Sequence, residues 1–212
     1  MTRVVVDPVR PDPTAIAHAA TMLRQGGVVA IPTDTLYGLA VDPWNRAAVL
    51  RVFAIKGRPD DRALPLIAAN LDQVDEWIGE MDTVARRLAM RFWPGPLTLV
   101  MRAPGNLAPE VTASGGTIGV RVPAHAVARA LCEAFERPVT ATSANISGEP
   151  STGDPDQVAD RLTTTGVDVL LDSGATPGGP ASTIVDVTHP DVRLIRAGAV
   201  AWEDVTACAR LE

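Results

Sequence analysis

Apolar positions in this chain fall in short, β-branched runs separated by stretches of helical spacing, the rhythm of an α/β protein. Runs at 4–6, 28–31, 36–41, 64–68, 97–101, 118–122, 139–142, 167–171, 182–187 and 192–195 predict strands. Asp12 before Pro13 reads as an N-cap and first-turn proline, and Ile16, Ala19, Ala20 and Leu23 carry that helix to Gly26 and Gly27. Asn45 opens a second helix with Val49, Val52 and Phe53 on one face. Further helices are predicted over 71–78, 82–92, 126–135, 156–162 and 202–211, and Trp93-Pro94-Gly95-Pro96 predicts a sharp turn. Some successive strands lack a helix between them, so the sheet is expected to be mixed, parallel and antiparallel. The order of its strands does not follow from the pattern.

Composition narrows the class. The 212 residues, 46% hydrophobic and 21% charged, suit one soluble domain over 1–212. A chain of that length buries roughly 70% of its extended surface and needs no covalent staples. Cys132 and Cys208 stand far apart and form no disulfide framework, which points to a reducing cytoplasm. The opening MTRVVVDPVRPDP has no apolar stretch suited to a signal peptide or membrane helix. A net charge of −6, with only four Trp, one Tyr and three Phe, argues against a protein that coats nucleic acid or stacks single strands.

Missing motifs narrow it further. No G-x-x-x-x-G-K-[ST] loop, G-x-G-x-x-G fingerprint or G-x-S-x-G elbow occurs. His18, His125 and His189 share no metal spacing with each other or with the cysteines, so no protein metal site is expected. Acid–base and nucleophile machinery is sparse; positioning and charge neutralisation are better supported.

Four segments carry that chemistry. Lys56-Gly57-Arg58-Pro59 ends a predicted helix and runs toward Arg62; Lys56 is the only lysine among 19 lysines and arginines. A compact ammonium required at one place explains that usage, and a basic last turn balancing the helix dipole explains it equally. Thr140 to Gly148, reading TATSANISG, follows an apolar run with small hydroxyl and amide groups. Such a strand-end loop can face phosphate or ribose oxygens, or can be an ordinary capped turn. Ile31 to Gly38, reading IPTDTLYG, suits the wall of a small polar pocket; its Asp34 can bind a metal or close an Asx-turn. In Gly116 to Pro123, alternation sets Thr117, Gly119 and Arg121 on one strand face. An arginine among valines there needs an anion, from the protein or from a ligand. Gly178 to Thr183 and Leu194 to Gly198 add small or cationic groups at strand boundaries.

Taken in order, PTDTLYGLA, FAIKGRP, WPGPLTLV, GVRVP, TSANISG, the small-residue Ser182-Thr183 segment and LIRAG resemble the YrdC/TsaC family of threonylcarbamoyl-AMP synthases. The resemblance runs from about residue 15 to 198, with the K-x-R and S-x-N pairs, Lys56/Arg58 and Ser143/Asn145, as specific markers. It implies a twisted mixed α/β sheet flanked by helices, with a concave, positively charged cavity. It also implies conversion of L-threonine, bicarbonate or CO2 and ATP, with Mg²⁺, to threonylcarbamoyl-AMP and pyrophosphate. The product serves threonylcarbamoyl modification of adenosine 37 in tRNA through downstream transfer proteins, direct tRNA binding not being required.

Carried over by the resemblance, Thr35, Arg121, Ala141 and Ser182 hold threonine. Arg58, Arg62, Thr117, Ser143, Asn145, Ser151 and Arg196 contact the nucleotide, and Lys56 with Arg58 neutralises phosphates. Two positions depart from relatives that carry N-P-L-x-x-H: Arg62 stands where asparagine touches ATP, and Ile67 where histidine approaches threonine. The chain also stops soon after LIRAG, without the extra C-terminal domain of longer members. The competing readings are a paralogue binding RNA or the ribosome without synthase activity, a carbamoyl-transfer domain of the hydrogenase-maturation type, and, from the Arg62 and Ile67 departures, a divergent paralogue with a lost or changed substrate.

Overall fold

The computed structural model describes residues 1–57, 63–112 and 115–211. Its strands are β1 (Thr2–Val5), β2 (Val29–Ile31), β3 (Gly38–Ala40), β4 (Leu66–Ile67), β5 (Leu97–Arg102), β6 (Thr117–Arg121), β7 (Val139–Thr140), β8 (Thr142–Ser143), β9 (Val169–Asp172), β10 (Thr183–Asp186) and β11 (Arg193–Arg196). Its helices are α1 (Pro13–Arg24), α2 (Arg46–Lys56), α3 (Leu71–Trp77), α4 (Thr83–Phe92), α5 (Pro109–Thr112), α6 (Ala126–Phe135), α7 (Pro155–Leu162) and α8 (Trp202–Ala209). The short α5 has no counterpart in the apolar spacing: four residues are too few to show a helical period.

The mixed sheet expected from the sequence is two mixed sheets, five strands in the order β1-β9-β2-β3-β8 and six in the order β11-β10-β5-β6-β4-β7. In the first, β1, β9 and β2 run parallel, while β3 is antiparallel to both β2 and β8. In the second, β10 is parallel to β5 and β4 to β6; the remaining pairs are antiparallel.

Both faces of the central strands β9, β2 and β3 are covered, which is why these read as nearly unbroken apolar runs, while the edge strand β1 is largely exposed. Val28, Ala30, Leu39 and Val41 point into a core shared with Leu66, Leu97, Leu99 and Val120 of the other sheet. Val29, Ile31, Ala40 and Leu171 point the opposite way, against Leu23 of α1 and Leu131 of α6. Full burial of a leucine contributes roughly 1.5–3 kcal/mol, so truncating either helix face is costly.

Local signals set the helix starts. Asp12 Oδ1 accepts from Thr14 N at 2.7 Å and Ala15 N at 3.0 Å, with Pro13 at the first position. Asn45 Oδ1 accepts from Ala48 N at 3.2 Å, and α2 ends on Gly57 at φ +59°, a left-handed cap suited to glycine.

One strand expected from the sequence is two. The run 139–142 leaves the six-stranded sheet after Thr140 and joins the five-stranded sheet at Thr142, with Ala141 at the crossing. The Thr140 hydroxyl makes this crossing: it accepts from Val41 N at 3.0 Å and donates to Leu39 O at 3.3 Å. Ala141 N donates to Pro65 O at 2.8 Å. The two sheets are therefore tied together where the candidate site lies.

Candidate active site

Four elements converge here. The β2–β3 loop is wound around the Thr33 hydroxyl, which accepts from Thr35 N at 3.2 Å and Leu36 N at 3.3 Å and donates to Leu36 O at 2.7 Å. From the far side, Thr176 Oγ1 donates to Thr35 O at 2.8 Å and Tyr37 OH to Gly174 O at 2.8 Å. Burial raises the Tyr37 phenol above its ordinary range, so it stays a neutral donor. This loop is fixed by its own side chains.

From β6, Arg121 enters with only 7% of its surface exposed. Its NH1 lies 3.0 Å from Asp34 Oδ1. The anion anticipated for a buried arginine is thus, within the chain, a carboxylate of the β2–β3 loop rather than an Asx-turn acceptor. Burial lowers the Arg121 guanidinium from its ordinary value, Asp34 opposes that shift and Arg196 adds to it. An arginine still keeps its charge at physiological pH.

From the six-stranded sheet come Ser182 and Arg196. Ser182 Oγ is 2.9 Å from Thr98 Oγ1 of β5, and Arg196 NH2 donates to Ser182 O at 2.7 Å and to its Oγ at 3.1 Å. Burial lowers Arg196 from its ordinary range. Gly198 lets the chain after β11 lie against residues 181–183: a Cβ there would sit 2.6 Å from Thr183 N.

The fourth element is the end of α2. Lys56, 2% exposed, donates to Ser143 O at 2.6 Å, Asn145 O at 2.9 Å and Asn145 Oδ1 at 3.0 Å. Asn145 Oδ1 also accepts from Ser143 Oγ at 2.5 Å, and Asn145 Nδ2 donates to Glu149 O at 2.7 Å. One ammonium thereby shapes the whole SANISG turn.

These elements enclose a cavity of about 370 Å³, within the usual range for a small-molecule site. Thr35, Arg121, Ala141 and Ser182 all line it, and so do Ser143, Ser151 and Arg196. Lys56 and Asn145 stand behind the Ser143 wall, and Thr117 lies off the cavity at the start of β6. Arg58 and Arg62 fall outside the described residues. Ile67, one of the two departures, is on the wall beside Arg121, its partner in the β4–β6 register.

Sequence reasoning placed Thr33 only as part of the IPTDTLYG pocket wall, without a role of its own, and missed Thr98. Both line the cavity and both orient another lining hydroxyl, Thr35 and Ser182 respectively. The signal at Thr98 was a threonine inside an apolar run. Thr98 also depends on Gly119, whose added Cβ would come 3.0 Å from Thr98 Cγ2.

The family model for Sua5, YciO and YrdC proteins, described as telomere recombination, matches residues 21–198. The chain belongs to the Sua5/YciO/YrdC family. A threonylcarbamoyl-AMP synthase of Pyrococcus abyssi is 40% identical over 191 residues, covering 90% of this chain and 56% of the relative. One from Bacillus subtilis is 37% identical over 204 residues, covering 96% and 59%. The crystal structure of P. abyssi Sua5 complexed with L-threonine superposes with a TM-score of 0.92 at 37% identity, over 98% of this chain and 61% of that one. The chain therefore spans about three fifths of the length of these relatives. Among the described residues of this Sua5/YciO/YrdC member, no helix is long and apolar enough to cross a membrane.

Proposed function

We propose that this chain is an L-threonylcarbamoyladenylate synthase, a nucleotidyltransferase that converts L-threonine, bicarbonate or CO2 and ATP to threonylcarbamoyl-AMP and pyrophosphate. The observation that carries the reading is the single cavity on which Arg121, Ser182, Arg196 and Ser143 meet from both sheets. The naming of curated relatives as threonylcarbamoyl-AMP synthases supports it, as does the L-threonine in the P. abyssi structure. The same relatives favour it over the RNA-binding reading.

The chemistry suits the side chains. The ammonium of bound threonine first gives up a proton to bicarbonate or solvent. The neutral amine then adds to CO2, giving a carbamate and releasing a second proton. A carbamate oxygen then attacks the α-phosphorus of ATP, forming the P–O bond as the bond to pyrophosphate breaks. Such displacements are accelerated chiefly by alignment and charge neutralisation, which positioned donors supply without a dedicated base. Arg121 forks onto the threonine carboxylate, with Thr35, Ser182 and the Ala141 backbone completing that end. Arg196, Ser143 and Ser151 face the nucleotide. Asn145 and Lys56 hold the Ser143 turn in register, and Lys56, Arg58 and Arg62 belong to the phosphate side of the site.

Mg²⁺ in this scheme travels with the ATP phosphates. Among the described residues no group of three or more His, Cys, Asp or Glu side chains is placed to hold a metal ion. Product then passes to the proteins that transfer the threonylcarbamoyl group to tRNA in the cytoplasm.

The deciding experiment is pyrophosphate release from ATP, Mg²⁺ and bicarbonate with L-threonine, L-serine or no amino acid. Threonine-dependent release with labelled threonylcarbamoyl-AMP is the expected result. A folded, ATP-binding protein that releases no pyrophosphate under any of these conditions overturns the reading.

A further inference from the structure

The two described arginines on the cavity wall differ in what faces them. Arg196 bonds to Ser182 O and Oγ, both neutral. Arg121 instead meets the Asp34 carboxylate at 3.0 Å, and both side chains are almost wholly buried. The pair is not internally complete: Asp34 Oδ2 is buried with no hydrogen-bond partner among the described residues. Asp34 is also held in place, since the Thr33 hydroxyl fixes the turn on either side of it. His125 lies near enough to act electrostatically on Asp34. Burial holds its imidazole below the ordinary histidine range, so it adds no full charge at neutral pH.

An arginine standing alone in a cavity attracts any anion, including the phosphates of a nucleotide bound nearby. Neutralised by Asp34, Arg121 offers a simple anion little net attraction. A ligand carboxylate seated on Arg121 also comes close to the Asp34 carboxylate, and that repulsion is strong in a water-poor site. It is relieved when the ligand brings its own cation to the unmatched Asp34 oxygen. An α-amino acid does so, with its ammonium one carbon from its carboxylate.

We infer that Asp34 is a specificity-determining residue, making the Arg121 end of the cavity select zwitterionic α-amino acids over hydroxy acids, simple carboxylates and phosphate. Arg121 takes the carboxylate and Asp34 the ammonium, while Arg196 is left to serve anions. The inference deepens the proposed function and rests on it for the identity of the amino acid.

The test is calorimetric titration of the full chain and its Asp34→Asn and Asp34→Glu variants, with melting curves to establish folding. The probes are L-threonine, its des-amino analogue 3-hydroxybutyrate, and inorganic phosphate. The wild-type protein is expected to prefer L-threonine over 3-hydroxybutyrate at least tenfold. Asp34→Asn is expected to cut that ratio by tenfold or more, weakening threonine while strengthening the two anions; Asp34→Glu is expected to keep most of the preference. An Asp34→Asn protein that loses both organic ligands equally, or keeps the wild-type ratio, overturns the inference. Should Asp34→Asn not fold, a folded Asp34→Glu protein without the preference overturns it, and one retaining it supports it. If the wild-type protein binds no threonine, the substrate reading falls on its own; the same ratio for L-serine against 3-hydroxypropionate and for glycine against acetate then decides the role of Asp34. No preference in any pair overturns it.

Discussion

The Lys56 ammonium reaches both oxygens of Asn145, the backbone carbonyl at 2.9 Å and the side-chain Oδ1 at 3.0 Å, while its shortest bond goes to Ser143 O at 2.6 Å. The end of α2 and the SANISG turn are thus one unit. A compact ammonium can converge on three acceptors; a planar guanidinium of greater reach cannot. Lys56→Met should cost about 3 kcal/mol or more, because several buried acceptors lose their donor together. Lys56→Arg should also lower the urea midpoint and reduce pyrophosphate release at least tenfold. Wild-type behaviour of Lys56→Arg in both assays would refute the assignment.

Thr98 acts on the cavity through Ser182. Its hydroxyl is 2.9 Å from Ser182 Oγ, which Arg196 also contacts. Thr98→Val keeps the shape and removes one hydrogen bond, so the stability loss should stay near 1 kcal/mol. Freed from that contact, Ser182 samples other rotamers. The KM for threonine should rise several-fold with kcat less affected, as steady-state kinetics would register. A kcat loss with unchanged KM contradicts this role.

Arg121→Lys separates the two ends of the cavity. A lysine keeps the charge facing Asp34 but cannot fork onto a carboxylate. The threonine requirement should rise by about tenfold or more, whereas ATP affinity, served by other groups, should change little. Equal losses for both substrates would remove the distinction between an amino-acid end and a nucleotide end.

Much of this site was legible in the sequence because its residues sit at strand ends in short polar interruptions of apolar runs. Arg121 among valines announced a buried charge needing an anion, and the structure supplies Asp34. The pairing itself was not legible: Asp34 and Arg121 are 87 residues apart, and strand order is set by nonlocal contacts that periodicity does not encode. The same limit hid the two-sheet architecture. The β-branched stretch Val139-Thr140-Ala141-Thr142 satisfies the pattern for one strand, yet the Thr140 hydroxyl bonds to β3 and the chain changes sheets at Ala141. Thr98 escaped notice for a related reason: threonine suits strands, so its hydroxyl gives no signal until a partner is known.

His125 gives the fold a pH dependence of definite sign. It caps α6 through Nδ1, which accepts from Val127 N at 3.3 Å, and this requires that nitrogen to be unprotonated. Burial lowers its pKa from the ordinary value, Asp34 opposes the shift and Arg129 adds to it. In the unfolded chain the imidazole titrates at about 6.5. Between that value and the lower folded one, the unfolded state binds more protons, so stability falls as the pH drops through this window. The contribution is complete above pH ~6.5 and declines until the folded pKa is passed. His125→Asn retains a capping acceptor without a titrating group. Moving from pH 7.5 to 5.5 should lower the urea midpoint more in the wild-type protein than in His125→Asn. Titrations shared by the two proteins cancel in that difference, so identical pH profiles would mean that protonation of His125 carries no linkage to folding.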